Sequence, residues 1–357
     1  MNTAVRAALR EDLRHALEAT GEPGSVELCD AVRELLDGAD PADRGAGLPV
    51  ISLRPLKARV YRLAIESRGP WRTVVVKRLE PARAERNRLV AEQWLPSVDL
   101  GDRCARLLAV AADRRGENVW HIYEDLGDDT LAARPDLERV DAAVDLVAEL
   151  HTRAARHAVL PDVRRYGRDF GMAYFTSNVR EAIASLEALS ASGIETPPEH
   201  VGLPDRLRER LIGLLAEVPR RARIFKEAAG PDTLLHGDLW TTNIFVSRSA
   251  EGPRARLVDW DHVGVGPFSY DFSTILFRFP AALRPRILER YRNAVSRAGS
   301  WLASPPELDL LFDTARRARY ANRVIWAVRA LLQEHADWGF PELAEVERWF
   351  QALERLP

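Results

Sequence analysis

Lysine and cysteine are scarce in this 357-residue chain. The three lysines are Lys57, Lys77 and Lys226, the other basic side chains are arginines, and the formal net charge is −2. A nearly neutral chain without a polybasic stretch is not expected to bind nucleic acid. Two cysteines, Cys29 and Cys104, are too few for a disulfide framework or a cysteine-rich metal site. We expect both to be small buried side chains.

Long apolar runs are also missing. No stretch of about eighteen uncharged apolar residues occurs, so the sequence does not predict a helix that spans a membrane. The first twenty residues carry charged side chains every few positions, unlike the apolar core of a secretory signal. These features predict a cytoplasmic protein without a membrane partner, long enough to form two lobes.

The pattern of residues along the chain predicts three segments. Residues 1–47 contain two short amphipathic helices followed by a segment with the composition of a linker. Residues 48–126 contain alternating, strand-like stretches and one helical pattern, as expected of a small β-rich N-terminal lobe. Residues 127–357 have helical periodicity through most of their length. The chain is therefore predicted to be an α+β protein with a larger, mostly helical C-terminal lobe.

One non-helical block interrupts the helical patterns. Two β-like runs, Ile244–Ser247 and Ala255–Val258, flank a polar segment that contains glycine and proline, which predicts a hairpin. Because antiparallel pairing brings the open ends of a hairpin together, Asn243 and Asp259 should become neighbours. An amide oxygen and a carboxylate suit Mg²⁺, which takes few protein oxygens and otherwise binds phosphate and water. The hairpin therefore implies a site for a metal and a nucleotide.

A third polar residue belongs to the same region. Asp238 lies five residues before Asn243, on the loop that enters the hairpin. A carboxylate at this position can face the site without binding the metal, and it can accept the proton of an attacking hydroxyl group. This is the task of the general base in phosphoryl transfer.

Two motifs in this block resemble those of a known superfamily. The run HGDLWTTN, which begins at His236, resembles the HGDxxxxN motif of the aminoglycoside phosphotransferases and choline kinases, and VDWD from Val258 resembles their I/V-D-W-E/D motif. The resemblance implies a protein-kinase-like bilobal fold. It also implies transfer of the γ-phosphate of ATP or GTP to a hydroxyl group of a small molecule, with Mg²⁺ as cofactor.

The resemblance also implies a role for each motif residue. Asp238 would be the catalytic base, and Asn243 and Asp259 would hold magnesium. Asp271, which follows in the segment GPFSYDFS, would brace the catalytic loop, and His236 would orient it. A buried carboxylate can serve as a brace because it accepts hydrogen bonds from loop amides.

The β-rich segment supplies a candidate lysine. Strand alternation in RTVVVKRL places Thr73, Val75 and Lys77 on one face. Lys77 resembles the lysine that kinases place on the nucleotide phosphates. The resemblance implies an acidic partner on the following helix, for which Glu85 is best placed and Glu92 second.

The nucleotide site is predicted to have two further parts. The segment VWHIYEDLG resembles the hinge of the family, where the backbone of about Glu124 to Leu126 would pair with the purine edge. Relatives often cover the phosphates with a glycine-rich turn, but no glycine occurs between residues 50 and 68. We therefore expect side-chain cations, among them Arg54 and Lys57, to replace backbone amides at the phosphates. The choice between ATP and GTP stays open.

Several functions fit these features. The acceptor could be an antibiotic, as in a resistance or self-protection kinase, or a sugar, nucleoside or amino alcohol. Nucleotide binding without turnover is the alternative from another class. Only eleven residues separate Asp259 from Asp271, too few for the activation segment of a protein kinase. Residues 151–357 carry a net charge of +3, which favours a neutral or weakly charged acceptor over a polycation.

Overall fold

The computed structural model describes residues 11–37, 49–65, 72–250, 252–300 and 302–352. The chain forms two compact units. Met1–Arg134 and Thr242–Asp261 belong to the first unit, whereas Pro135–Thr241 and His262–Pro357 belong to the second. Most of the predicted linker, residues 38–47, lies outside the described residues.

Strands are concentrated in the first part of the chain and helices in the second. The strands are β1 (Glu11–Asp12), β2 (Pro49–Lys57), β3 (Val60–Ile65), β4 (Thr73–Leu79), β5 (Leu107–Ala112), β6 (Val119–Glu124), β7 (Arg168–Asp169), β8 (Thr233–Leu235), β9 (Ile244–Ser249), β10 (Gly252–Leu257) and β11 (Gly264–Gly266). The helices are α1 (Leu13–Glu18), α2 (Ser25–Asp37), α3 (Pro81–Leu89), α4 (Leu95–Ser97), α5 (Leu137–Ala154), α6 (Leu160–Tyr166), α7 (Met172–Ala191), α8 (Leu203–Ala216), α9 (Val218–Ala228), α10 (Ser269–Leu276), α11 (Arg284–Arg297), α12 (Pro305–Arg329) and α13 (Gly339–Gln351).

The first unit is built on an antiparallel sheet with the strand order β1-β2-β3-β4-β6-β5. Helix α2 contributes Leu28 and Val32 to a core that contains Val74, Val76 and Trp120 of the sheet. These apolar side chains alternate along their strands and recur at helical spacing in α2, so one face of each element is buried. The N-terminal helices predicted from the sequence are therefore part of this core wherever they are described.

The hairpin β9–β10 also belongs to the first unit. Isolated bridges join Phe245 to Thr130 and Leu257 to Cys104, and these contacts attach the hairpin to the segment that follows β4. The compact units therefore divide the chain differently from the boundaries that we placed after residues 47 and 126. Local periodicity does not reveal such long-range pairings.

The second unit is mostly helical. Helices α7, α8, α12 and α13 share a buried apolar cluster, and β7, β11 and β8 form a small sheet beside them. Helix α12 begins with a capping box, in which Ser304 and Glu307 satisfy the free amides of the first turn. The α+β prediction is confirmed, with a β-rich first unit and a helical second unit. None of the helices in the described ranges combines the length and apolarity needed to cross a bilayer.

Candidate active site

A cavity of about 400 Å³ lies entirely within the first unit. This volume falls in the usual range for sites that bind small molecules and cofactors. The apolar part of its wall includes Val60, Val75 and Leu257. The polar part includes Lys57, Lys77, Asn243 and Asp259. The cavity thus combines an apolar slot with a charged end, the combination that a base and its attached phosphates require.

The hairpin brings Asn243 and Asp259 to the same cavity. Ile244 pairs with Leu257, and the Val258 amide donates to the carbonyl oxygen of Asn243 at 3.0 Å. Asp259 follows with a φ of 70°, a left-handed conformation that is uncommon for residues other than glycine. This backbone conformation fits a turn that directs the carboxylate into the cavity, which both residues line.

Lys77 lies on β4 and forms ion pairs with two carboxylates. Its Nζ is 2.6 Å from Asp259 Oδ1 and 2.5 Å from Asp261 Oδ1. Val75 and Lys77 line the cavity, whereas Val74 and Val76 are buried in the sheet core. The predicted alternation of this strand therefore directs the lysine into the cavity.

The predicted acidic partner of Lys77 is different in the structure. Glu85 binds Arg88 on the same helix at 2.8 Å, and Arg88 also binds Glu92 at 2.7 Å. The three residues have i,i+3 and i,i+4 spacing, so they pair with one another along the helix surface. The ion pairs of Lys77 among the described side chains are with the hairpin carboxylates instead. Assignment of Glu85 or Glu92 as its partner was wrong for this structure.

Asn87 takes the helix position that faces the lysine network. Its amide Nδ2 donates to Asp261 Oδ1 at 3.0 Å, and the residue is buried. Asp261 therefore links Lys77 to helix α3 through a neutral amide. Sequence reasoning missed both roles, although Asp261 belongs to the VDWD motif.

Opposing effects act on the carboxyl group of Asp259. Burial alone raises the pKa of Asp259, but the charges of Lys77 and Lys57 outweigh it and hold the pKa well below its usual range. The carboxylate is therefore ionised at neutral pH. Together with the Asn243 amide it offers hard oxygen ligands of the kind that Mg²⁺ takes when phosphates and water complete its coordination. The described residues at this site therefore fit the predicted metal.

The two cations predicted to cover the phosphates lie in different environments. Lys57 lines the cavity and pairs with Asp259 Oδ2. Arg54 pairs with Asp128 at 3.3 Å, is not among the cavity-lining residues, and is exposed. Of the two cations, only Lys57 therefore lines the cavity.

The segment after β6 is held by Arg62, which sequence reasoning missed. The guanidinium of Arg62 donates to Asp125 Oδ1 at 2.9 Å, the Gly127 carbonyl at 2.6 Å and Asp128 Oδ1 at 2.7 Å. Arg62 lies two residues after Val60, on the strand face that lines the cavity. That alternation, together with the acidic run EDLGDD, was the signal available in the sequence.

The predicted hinge differs in its backbone contacts at its two ends. The Glu124 amide donates to Arg106 O at 3.0 Å, and the Glu124 carboxylate accepts from the Arg106 amide and from Arg256. The Leu126 amide has no hydrogen-bond partner among the described residues, and Leu126 lines the cavity. Of the two residues, Leu126 is therefore the one whose amide remains available to a ligand.

Both cysteines are buried, as expected. Cys104 lines the cavity, where burial, reinforced by the charge of Glu124, raises the pKa of the thiol to about 12. A thiol in this state is not a nucleophile at neutral pH. Cys104 therefore contributes to the wall of the cavity.

The HGD loop lies in the second unit, and its glycine is required by close packing. Gly237 has a φ of 80°, and a Cβ at this position would lie 1.9 Å from the carbonyl oxygen of His262. Any larger residue would clash with backbone and would also adopt an unfavourable conformation. The loop can therefore pass next to His262 only with glycine at this position.

Asp271 lies beneath the loop on helix α10. It is fully buried and accepts hydrogen bonds from the His236 amide at 2.6 Å and the Gly237 amide at 2.9 Å. Burial alone raises the pKa of Asp271, but contacts with His151 of helix α5, with His236 and with the Gly237 amide outweigh it and lower the pKa. The carboxylate has the contacts expected of a brace for the loop.

Asp238 is held by the loop itself. Its amide donates to His236 Nδ1 at 3.3 Å, and the indole N–H of Trp240 donates to Asp238 Oδ1. The guanidinium of Arg278 stacks on Trp240, with its central carbon 3.6 Å from the centre of the tryptophan ring. A partly exposed carboxylate with a fixed orientation can act as a base. That role stays a prediction.

These features define a kinase-like phosphotransferase that acts on small molecules. A family model described as the phosphotransferase enzyme family matches residues 55–311, and the chain belongs to this family. The protein is therefore a small-molecule kinase with a hydroxyl group as acceptor, as the motifs predicted. A comparison of the sequence with curated proteins gave no match.

Solved structures support the kinase-like fold. A spectinomycin phosphotransferase in complex with ADP and spectinomycin is similar at 12% identity and a TM-score of 0.57, over 90% of this chain and 97% of that one. An aminoglycoside 2'-phosphotransferase with GDP is similar at 14% identity and a TM-score of 0.56, over 89% and 97%. An ethanolamine kinase from Plasmodium vivax is similar at 11% identity and a TM-score of 0.53, over 85% and 81%. At these identities the likeness concerns the fold alone.

Proposed function

We propose that this chain transfers the γ-phosphate of a nucleoside triphosphate to a hydroxyl group of a small molecule, with Mg²⁺ as cofactor. The observation that carries the proposal is the polar end of the first-unit cavity. There the ammonium of Lys77 and the carboxylate of Asp259 lie 2.6 Å apart, and Asn243 adds an amide. A cation and oxygen ligands in one cavity can bind a phosphate chain and its metal ion together.

In this proposal the nucleotide base occupies the apolar part of the cavity. The Leu126 amide would donate to the base, and Lys77 and Lys57 would contact the phosphates. Asn243 and Asp259 would hold the magnesium ion. When bound, Mg²⁺ supplies positive charge that offsets the negative charge on the phosphates.

Binding of a metal nucleotide would compete for the lysines. Lys57 and Lys77 both pair with Asp259, one at each carboxylate oxygen. The phosphates can take over the two ammonium groups, which frees the carboxylate for the metal. Because these exchanges replace one charge pair with another, little electrostatic energy is lost when the nucleotide binds.

The chemical step assigned to the second unit is a proton transfer. The acceptor hydroxyl oxygen forms a bond to the γ-phosphorus, the bond to the β-phosphate oxygen breaks, and the nucleoside diphosphate leaves. The hydroxyl proton moves to Asp238, whose carboxylate is oriented by the Trp240 indole. The backbone contacts of Asp271 would keep this loop in place.

The experiment uses a nucleoside triphosphate labelled at the γ-phosphate. The protein is incubated with Mg²⁺ and a panel of hydroxylated antibiotics, sugars, nucleosides and amino alcohols, and organic products that carry the label are identified by mass. We expect a phosphorylated acceptor that depends on Asp238. Tight nucleotide binding without any labelled organic product would favour a nucleotide-binding protein without turnover.

A further inference from the structure

Two neighbouring arginines belong to the second unit, and one of them contacts the residue that holds the proposed base. Arg278 stacks on Trp240, whose indole N–H donates to Asp238. Arg319, on helix α12, stacks on the ring of Tyr270 with its central carbon 3.9 Å from the ring centre. Burial lowers the pKa of Arg278, and the charges of Arg319 and Arg316 lower it further, whereas Tyr320 and the charge of Asp238 act in the opposite direction. They form a positive cluster close to Asp238.

Neither arginine has an acidic partner among the described residues. No ion pair of the described residues includes Arg278, and Arg319 donates only to neutral groups, the Ser273 hydroxyl at 3.2 Å and the Tyr270 carbonyl. Two other arginines of the same helix are paired, since Arg317 binds Asp313 at 2.7 Å and Arg323 binds Glu342 at 2.5 Å. The charge of the two-arginine cluster is therefore not compensated by an ion pair within the described part of the fold.

The stacking geometry leaves donors available. A guanidinium that lies on an aromatic face uses its flat surface for that contact, whereas its N–H groups point outward in the plane of the group. Such an edge matches the two oxygens of a carboxylate or a phosphate. Arg278 is exposed in spite of the stacking, so a ligand can reach this edge.

We propose that Arg278 and Arg319 bind an anionic group of the acceptor, a carboxylate or a phosphate, and thereby hold the acceptor at Asp238. The inference rests on the proposed function and names its substrate class: hydroxylated compounds that carry a negative charge. It replaces the expectation of a neutral acceptor, because the net charge of a whole segment does not reveal two cations that form no ion pair within the described ranges. Polycationic acceptors would be repelled from this cluster.

The test compares matched acceptors that differ in charge. Glycerol, glycerate, glycerol 3-phosphate, ethanolamine and streptomycin are each offered with labelled nucleotide and Mg²⁺. We expect kcat/KM to be highest for glycerate or glycerol 3-phosphate, and these two probes separate the carboxylate from the phosphate. Arg278→Gln should raise KM for the anionic acceptor by about 10- to 100-fold, the usual worth of a charge-assisted hydrogen bond.

A control variant removes the same charge elsewhere. Arg297 is exposed at the end of helix α11, and Arg297→Gln should change KM by no more than about twofold. Arg278→Lys keeps the charge but loses the planar edge, so its KM should lie between those of the wild type and Arg278→Gln. Melting temperatures of all variants show whether each is folded.

The outcomes separate this inference from the proposed function. Turnover of neutral or cationic acceptors alone, unchanged by Arg278→Gln, would overturn the inference and leave the phosphotransferase proposal intact. If no acceptor is phosphorylated, the proposed function is in question, and binding of inorganic phosphate measured by calorimetry decides the inference. Weaker phosphate binding in Arg278→Gln than in Arg297→Gln supports it, and equal binding contradicts it.

Discussion

Replacement of Asp271 by asparagine should destabilise the protein and disable the catalytic loop. The carboxylate is fully buried and accepts two backbone hydrogen bonds, from His236 and Gly237. Asparagine has one acceptor oxygen, so one of the two backbone amides loses its acceptor and faces the side-chain NH₂ group, which is also a donor. Loss of a charge-assisted bond and one unsatisfied buried amide together predict a loss of about 2–4 kcal/mol in the free energy of unfolding.

The difference between wild type and Asp271→Asn should depend on pH. The folded-state pKa of Asp271 is lowered, so its contribution is complete above the unfolded value of about 3.9 and is lost as pH falls through the folded pKa. The two proteins should therefore differ most near pH 7. Their stabilities should start to converge as the pH falls below about 4 and become similar only below the lowered folded pKa, where the wild-type carboxyl group is protonated and resembles the amide.

Urea denaturation at several pH values measures this prediction, and Asp145→Asn is the matched control. Asp145 forms a surface pair with Arg290, so its replacement should cost at most about 1 kcal/mol. The rate of phosphoryl transfer by Asp271→Asn should fall by up to about 10²-fold through misplacement of the loop. Nucleotide affinity should persist, because the cavity is lined by the first unit alone. Equal stability of Asp271→Asn and wild type at pH 7 would refute the bracing role.

Four further substitutions have distinct expected results. Lys57→Ala should raise the nucleotide KM more than it lowers kcat, whereas Arg54→Ala should leave the nucleotide KM unchanged. Steady-state kinetics measure both variants. The same nucleotide KM in the two variants would contradict a contact between Lys57 and the phosphates. Asp259→Ala should abolish the part of nucleotide affinity that depends on Mg²⁺, and titrations with and without the metal measure it. Gly237→Ala should destabilise the protein by more than about 1 kcal/mol, because its Cβ meets the His262 carbonyl, and a normal melting temperature would refute this.

Features that depend on local sequence patterns could be predicted from the sequence. Two β-like runs around a turn were enough to place Asn243 and Asp259 in one cavity, since antiparallel pairing leaves no other arrangement of the open ends. Strand alternation directed Lys77 into the cavity in the same way. The helical periodicity of the second unit, read without any tertiary information, predicted the α+β class.

Long-range pairings were not predictable in this way. Glu85 was a reasonable partner for Lys77 by position, but its neighbour Arg88 binds it instead, and only the packed structure shows that Asp261 lies closer to the lysine. Arg62 was missed because strand alternation and the acidic run EDLGDD lie far apart in the sequence, and only the folded structure joins them. That Arg278 has no ion pair in the described part of the chain likewise emerges only when the partners of the other arginines are known.

The central claim is that Asp238 serves as the base for transfer of a phosphoryl group to a small-molecule hydroxyl. The most direct measurement is the rate at which Asp238→Asn forms the labelled acceptor phosphate, together with its nucleotide dissociation constant. We expect the rate to fall by about 10² to 10⁴-fold, the worth of a general base, with nearly unchanged nucleotide affinity. A wild-type rate in this variant would contradict the mechanism.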